Sequence, residues 1–412
     1  MRLRRWRPPP PGEGWGGGSA RRVALLVLAL CICSPAAAAP FTPISDSEIV
    51  ERLPASTNDP ALRRVESLRK QLAARPDDVN LRLDVARRYF DMAMAQGDPR
   101  YVGYASAAIG PLAQSGARNA DYWLVRGLIQ QYSHDFAGAL QSLARAQELK
   151  PDAAEPIAWQ AAIHMVQARY PEALSQCTRL VPLAHPLYAH GCTAYVQAST
   201  GHLADAYRGL QEGLADAGAV APELILWIRT RLAEMAIRLQ RMDEAQTHFD
   251  EAFKQGVTDQ FLLGAYSDFL LLRQRPAEVM KLLADWERSD ILLLRLALAG
   301  KAAKDPRAAG WADQLRDRFA AAALRGDRLH EQEAARFELD VEGHPEKALE
   351  LASRNYQAQK EARDAEILLR AALAARRPKA AQPALDWLRT SGEEDPALAK
   401  LAGQLAAPGA GR

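Results

Sequence analysis

Cysteine is nearly missing from this chain: there are four in 412 residues, and two of them, Cys31 and Cys33, sit in an N-terminal apolar run. A small fold held together by many disulfides is therefore excluded. Aromatic residues are scarce at 7%, while Ala, Leu and Arg dominate, and that mixture favours helix over sheet. Neither charge sign is in excess; a net charge of +2 points by itself to no polyelectrolyte partner. The N-terminal apolar run falls short of the roughly 20 residues a membrane-spanning helix needs. Chemistry-bearing motifs are absent as well: there is no H-E-x-x-H, no G-x-x-x-x-G-K-[ST], no G-x-S-x-G elbow and no glycine fingerprint after a strand. What remains, 48% hydrophobic and 25% charged, is ordinary for a soluble protein but too long for one simple compact domain.

Residues 1–38 read as a secretory signal peptide. Arg21-Arg22 precede the apolar run from Val23 to Cys33, which ends at the small-residue stretch SPAAAAP. Cleavage is expected after Ala38, since Ala36 and Ala38 satisfy the small-residue rule. The run Leu28-Ala29-Leu30-Cys31 resembles a lipoprotein signal, but Leu30 is bulky where Gly or Ala is wanted, and Arg21-Arg22 lacks the rest of a twin-arginine motif. Removing residues 1–38 leaves 46 Lys+Arg against 49 Asp+Glu, a net charge of −3. Nothing in that balance suggests a nucleic-acid binder.

Residues 39–59 are polar and read as a flexible lead-in. From Pro60 a three-to-four-residue apolar period begins with Leu62, Val65, Leu68 and Leu72, so residues 60–118 are expected to hold irregular helical repeats. The clearest unit runs from Tyr122 to Pro151. It carries Trp123, Gly127, Phe136, Ala139, Leu143, Ala146 and Pro151 at helical spacings on two segments separated by a turn at His134-Asp135. This unit resembles a tetratricopeptide repeat, with Arg126 and Gln130 departing from the usual Leu and Tyr. A ladder of small or branched residues then continues through Ala139, Ala173, Ala206, Ala245, Val279, Ala312, Ala348 and Ala381, at steps of 33 to 39 residues. The wording DFAGAL, RYPEAL, HLADAY, RMDEAQ, RPAEVM and HPEKAL echoes along it. The match is good over 119–258 and degenerate over 259–405, with a disordered tail expected at 406–412. The resemblance implies an all-α, right-handed α-solenoid of eight or nine stacked helix–turn–helix repeats, because one hairpin alone cannot bury its apolar face.

The same resemblance implies that the first helices line a concave surface that takes a peptide. At the matching positions it selects Leu128, Gln131, Tyr132, Met165, Tyr188, Tyr195, Trp227, Glu234 and Arg238 as partner-binding residues. Tyr and Trp offer rigid contact area with a polar tip, although Tyr195 and Trp227 fit a structural role equally well. Trp123, Trp159, Trp286 and Trp387 read as core, and the run Arg316-Asp317-Arg318 as a solvated outer face. Cys177, His185, His190 and Cys192 fall within sixteen residues. In an exported protein a Cys177–Cys192 disulfide is the simplest account; buried free thiols and a four-ligand metal site are the alternatives.

The expectation is thus an exported, periplasmic, non-catalytic scaffold with no cofactor and no metal, binding a protein or peptide and not nucleic acid, and not an integral membrane protein once cleaved. The second reading is an accessory subunit of an envelope, secretion or surface-polymer assembly machine.

Overall fold

The structure is a computed structural model and describes residues 60–406. The expected signal peptide, the lead-in before residue 60 and the tail beyond 406 lie outside the described residues. Twenty α-helices and no strand make up the described chain. Helix α1 (Pro60–Ala74) packs on the first of nine hairpins. The hairpins are α2/α3 (Val79–Gln96, Arg100–Ile109), α4/α5 (Ala120–Tyr132, Phe136–Leu149) and α6/α7 (Ala154–Val166, Tyr170–Leu180). Next come α8/α9 (Pro186–Ala198, Leu203–Ala215), α10/α11 (Pro222–Arg238, Met242–Phe253) and α12/α13 (Gln260–Leu272, Pro276–Leu282). The last three are α14/α15 (Asp290–Ala303, Ala308–Leu324), α16/α17 (Glu331–Phe337, Pro345–Ala358) and α18/α19 (Ala362–Ala374, Gln382–Ser391), and α20 (Pro396–Ala406) caps the end.

Local chemistry sets where the helices start. The side chains of Asp78, Asn119, Asp135, Asp259 and Ser289 each accept a hydrogen bond from a backbone N–H of the first turn, satisfying donors that would otherwise lack partners. Pro186, Pro222, Pro276 and Pro345 occupy first positions where the missing N–H is harmless.

Every hairpin turns on one residue with left-handed backbone: Gly97, His134, Ala168, Gly201, Gln240, Gln274, Lys304, Gly343 and Arg376. In hairpins 2 to 7 and 9 the next residue sends its N–H back five positions, as in Asp135 to Gln130 (2.9 Å), Arg241 to Ala236 (2.8 Å) and Arg377 to Ala372 (2.9 Å). This is the Schellman closure of a helix end. At the eighth hairpin a π-turn, Glu338–Glu342, inserts one residue, and His344 reaches back six, to Glu338 (2.8 Å). From α4/α5 onward the ladder residue follows the turn residue by five positions in every hairpin but α14/α15, and all eight ladder residues expected from the sequence are buried. Repetition of both the turn and its echo makes the solenoid, since each hairpin offers its neighbour the same face.

Six of these turn residues carry a side chain at φ between 55° and 62°, which costs roughly 1–2 kcal/mol outside glycine. Gln274 is exposed, so nothing but backbone strain is at stake there. Gln274→Gly is expected to raise stability by about 0.5–1 kcal/mol, after allowing for glycine's greater unfolded entropy, read as a higher denaturant midpoint. An unchanged or lower midpoint would show that the turn is not strained.

The coil closes on itself. The turn edge of the early hairpins lies against the N-terminal edge of the late ones. Gln260 Nε2 donates to Met94 O (3.2 Å), the Lys360 N–H to Val166 O (2.7 Å) and the Leu203 N–H to Glu394 (2.7 Å). Gly97 shows how tight this is: a Cβ there would lie 2.5 Å from Ser289 Oγ. Hairpin 3 meets the start of hairpin 9, and hairpin 1 meets the starts of hairpins 6 and 7, so one superhelical turn takes between five and six hairpins.

Candidate inner-face site

The first helices α8, α10, α12, α14, α16 and α18 bring polar side chains to one inner face. Asp268 on α12 accepts from Arg295 (2.6 Å) and Arg336 (2.8 Å). Asp340 accepts from Arg370 at 2.5 Å, and Arg231 pairs with Glu234 at 2.9 Å. Arg231 also lies over the Tyr195 ring (5.0 Å), and the Tyr195 hydroxyl donates to Glu361 (3.3 Å), which holds Arg363 (2.7 Å). These groups come from hairpins distant in sequence, and several stay wet: the Arg363 side chain is 54% exposed, Glu366 47%, Glu234 37% and Asp268 36%.

Their electrostatics follow from this crowding. Burial alone would raise the Asp268 carboxyl, but the Arg295 and Arg336 guanidiniums outweigh it and hold its pKa at about 2. Glu333 follows the same logic: burial raises it, while His330 and the charges of Arg295 and Arg363 bring it to about 2. The Glu361 charge lifts Arg363 well above the ordinary guanidinium value. Burial, then the nearby Asp98 and Asp290 carboxylates, raises the Tyr132 hydroxyl.

Asp268→Asn would leave Arg295, whose side chain is 7% exposed, short of its counter-charge. Breaking a fully buried pair costs about 3–5 kcal/mol; because Asp268 is more than a third exposed, screening reduces the expected loss to about 1–2 kcal/mol. The Asp268 pKa is depressed on folding, so its contribution is present above the unfolded value near 3.8 and lost as pH falls towards about 2. Denaturation of both proteins from neutral pH to pH 2 should show the difference shrinking; a constant difference would mean the Asp268 charge is not the cause.

The residues expected to bind a partner divide into three groups. Leu128 is wholly buried and Met165 is 7% exposed within the cluster of Ala161, Ala173 and Val196. Both are core, because the first-helix register turns them inward to the hairpin, and this corrects the sequence expectation for them. Tyr188 and Trp227 pack on each other with ring centroids 5.3 Å apart, joining α8 to α10. Tyr195, Glu234 and Arg238 do face inward, with Tyr132 half-buried against Phe90 (6.5 Å) and Gln131 half-buried beside it. Arg238, however, is spent on the chain itself, donating to Glu394 O (3.1 Å) and pairing with Glu393 (3.0 Å). Asp268, Arg363, Glu366 and Glu333 were missed, because charged residues in degenerate repeats look like solvated faces.

Cys177 on α7 and Cys192 on α8 are bonded, with Cα atoms 5.5 Å apart. Their sulfurs are therefore not thiolates. His185 instead caps α8 through Leu187 N–H (3.2 Å), and His190 packs beneath Gly213. Among the described residues no group of three His, Cys, Asp or Glu side chains is placed to hold a metal ion. No described helix is long and apolar enough to cross a membrane.

No protein-family model matches the chain, and no curated protein does. Among solved structures it is similar to the type IV pilus biogenesis factor PilW, at 20% identity and TM-score 0.35, covering 58% of this chain and 93% of that one. It is likewise similar to yeast Tom70 (13%, TM-score 0.39, 83% of this chain and 85% of that one) and to the tetratricopeptide domain of P58(IPK) (14%, TM-score 0.21, 84% and 97%). At those scores the similarities carry no functional argument. The assignment of fold rests on the nine hairpins, their repeated turn and their buried ladder: the chain is a tetratricopeptide-like α-solenoid.

Proposed function

We propose that the chain is exported to the periplasm and acts there as a non-catalytic scaffold that holds a peptide or protein on its inner face. One observation carries the binding reading: polar and charged groups from six first helices converge on one face, and Arg363, Glu366, Glu234 and Asp268 remain accessible there. Both charge signs are present and the aromatic side chains are engaged in packing. The partner that fits is therefore an extended, charged polypeptide segment held by hydrogen bonds and ion pairs, not one anchored by large apolar side chains. Export is supported by the basic flank, short apolar core and small-residue exit of residues 21–39, and by a disulfide that suits an oxidising compartment.

The test is capture from periplasmic extract, scored as dissociation constants for whatever is retained. Glu234→Lys with Arg363→Glu should weaken capture at least about ten-fold, or about 1.4 kcal/mol. Arg145→Glu, on an exposed stretch of α5, should leave it unchanged. Equal capture by all three proteins would sink the inner-face reading. Intact mass of the secreted protein should correspond to a chain starting at Ala39; retention of Met1 would refute export by cleavage.

A further inference from the structure

The last block, Glu331–Ala406, has its own apolar core: Ala335, Ala348, Ala352, Tyr356, Leu368, Trp387, Leu398 and their neighbours form a cluster separate from that of hairpins 6 and 7. Its connections to the rest of the molecule are of another kind. Towards hairpin 7 one buried ring, Phe337, enters the neighbouring core against Phe319 (centroids 5.6 Å), just before the π-turn. Val341 packs on the same core beside it, and the other contacts around that pin are polar: Lys301 to Asp340 O (2.7 Å), Arg316 to Glu342 (2.8 Å) and Arg336 to Asp268 (2.8 Å). The second helices part company here, for α15 runs on past its last buried residue and leaves Leu324 91% exposed.

On its other side the block meets the turn edge of hairpins 3 to 5, again through polar groups. Trp387 Nε1 donates to Tyr170 Oη (2.9 Å), Arg238 pairs with Glu393 (3.0 Å), the Leu203 N–H donates to Glu394 (2.7 Å) and the Lys360 N–H to Val166 O (2.7 Å). Apolar contact across this seam is carried by small side chains, Ala168 and Ala358. A cleft of about 410 Å³ lined by Leu203, Arg238, Leu388, Glu393 and Pro396 runs along it, so the seam is not packed like a core.

We infer that hairpins 8 and 9 with α20 form a lid that swings as one body about Phe337 and the π-turn, its latch being the ionic seam at Arg238, Glu393 and Glu394. A unit with a complete core of its own loses little apolar burial on detaching, while the latch pair, with side chains 14% (Arg238) and 2% (Glu393) exposed, regains on opening the hydration it gave up on burial, which offsets much of the attraction lost. Opening would part Glu361 from Tyr195 and widen access to the inner face between α8 and α18. The bearing of this motion on binding rests on the function proposed above, but the motion itself is measurable with no partner present.

Hydrogen exchange resolved to single amides tests it on the full secreted chain. Arg238→Glu replaces the latch cation with a charge that repels Glu393 and Glu394. The amides of Leu203 and Lys360, which bridge the seam, should then exchange at least ten times faster, while Ala352 and Leu368 inside the block keep their protection. Arg238→Met, which removes the latch cation without adding a repelling charge, should speed the same two amides and decides the matter should the charge reversal misfold. Unchanged exchange at Leu203 and Lys360 would overturn the lid, as would loss of protection at Ala352 and Leu368 in step with them, since the block would then be melting. A lid that stays shut leaves the capture experiment standing, and lost inner-face capture leaves the exchange result standing.

Discussion

With phenylalanine in place of Ala139, the protein is expected to lose about 3 kcal/mol of stability, the upper end of what overpacking of a well-packed interior costs. Ala139 is wholly buried on α5 at the point where α4 comes closest. Across from it Gly127 leaves no room either: a Cβ there would stand 2.8 Å from Leu143 Cγ and 3.4 Å from the Ala139 carbonyl. A ring at Ala139 must therefore move backbone, and in a solenoid that displacement also unseats the faces presented to the first and third hairpins. Denaturant unfolding followed by circular dichroism measures the loss, with Ala144→Phe, exposed on the same helix, as the control. Equal midpoints for the two variants would mean that Ala139 is not at a helix–helix contact.

Removing the Cys177–Cys192 bond by a double alanine substitution is expected to cost a similar amount. The bond closes a loop of 15 residues, for which the chain-entropy argument gives about 3 kcal/mol. It ties α7 of the third hairpin to α8 of the fourth, beside Val166 and Tyr195, where the chain closes on itself. Reduction of the unsubstituted protein should lower its denaturant midpoint as the substitution does. Identical midpoints with and without reductant would show that the bond constrains nothing that unfolding releases.

Much of the architecture could be read before any coordinates. The small residues at Ala139, Ala173, Ala206, Ala245 and Ala348 recur because two helices can touch only where little stands between them, and all are buried as their spacing implied. The echoes such as RYPEAL and HPEKAL begin one residue after a left-handed turn residue. The turn at His134-Asp135 was legible, yet the left-handed backbone of the turns was not, since His134, Ala168, Gln240, Gln274, Lys304 and Arg376 hold a conformation usually left to glycine. Arg316 and Asp317 are exposed, as expected of a solvated face, but Arg316 also reaches Glu342 (2.8 Å) and the half-buried Arg318 reaches Asp290 (2.9 Å). Trp387, taken for core, also spends its N–H on Tyr170, 217 residues away.

Sequence alone determined the helical class, the repeat and the buried ladder of small residues, because these depend on side chains three, four and about thirty-four positions apart. Only the tertiary structure decided what the inner face is: not an open groove of aromatic anchors but a wall of ion pairs, partly roofed by the chain's own last hairpins. An ion pair joins Asp268 to Arg336 and a hydrogen bond joins Tyr195 to Glu361, 68 and 166 residues apart. Small rotations between successive hairpins accumulate along the solenoid into the pitch that brings such residues together. No local pattern records that sum.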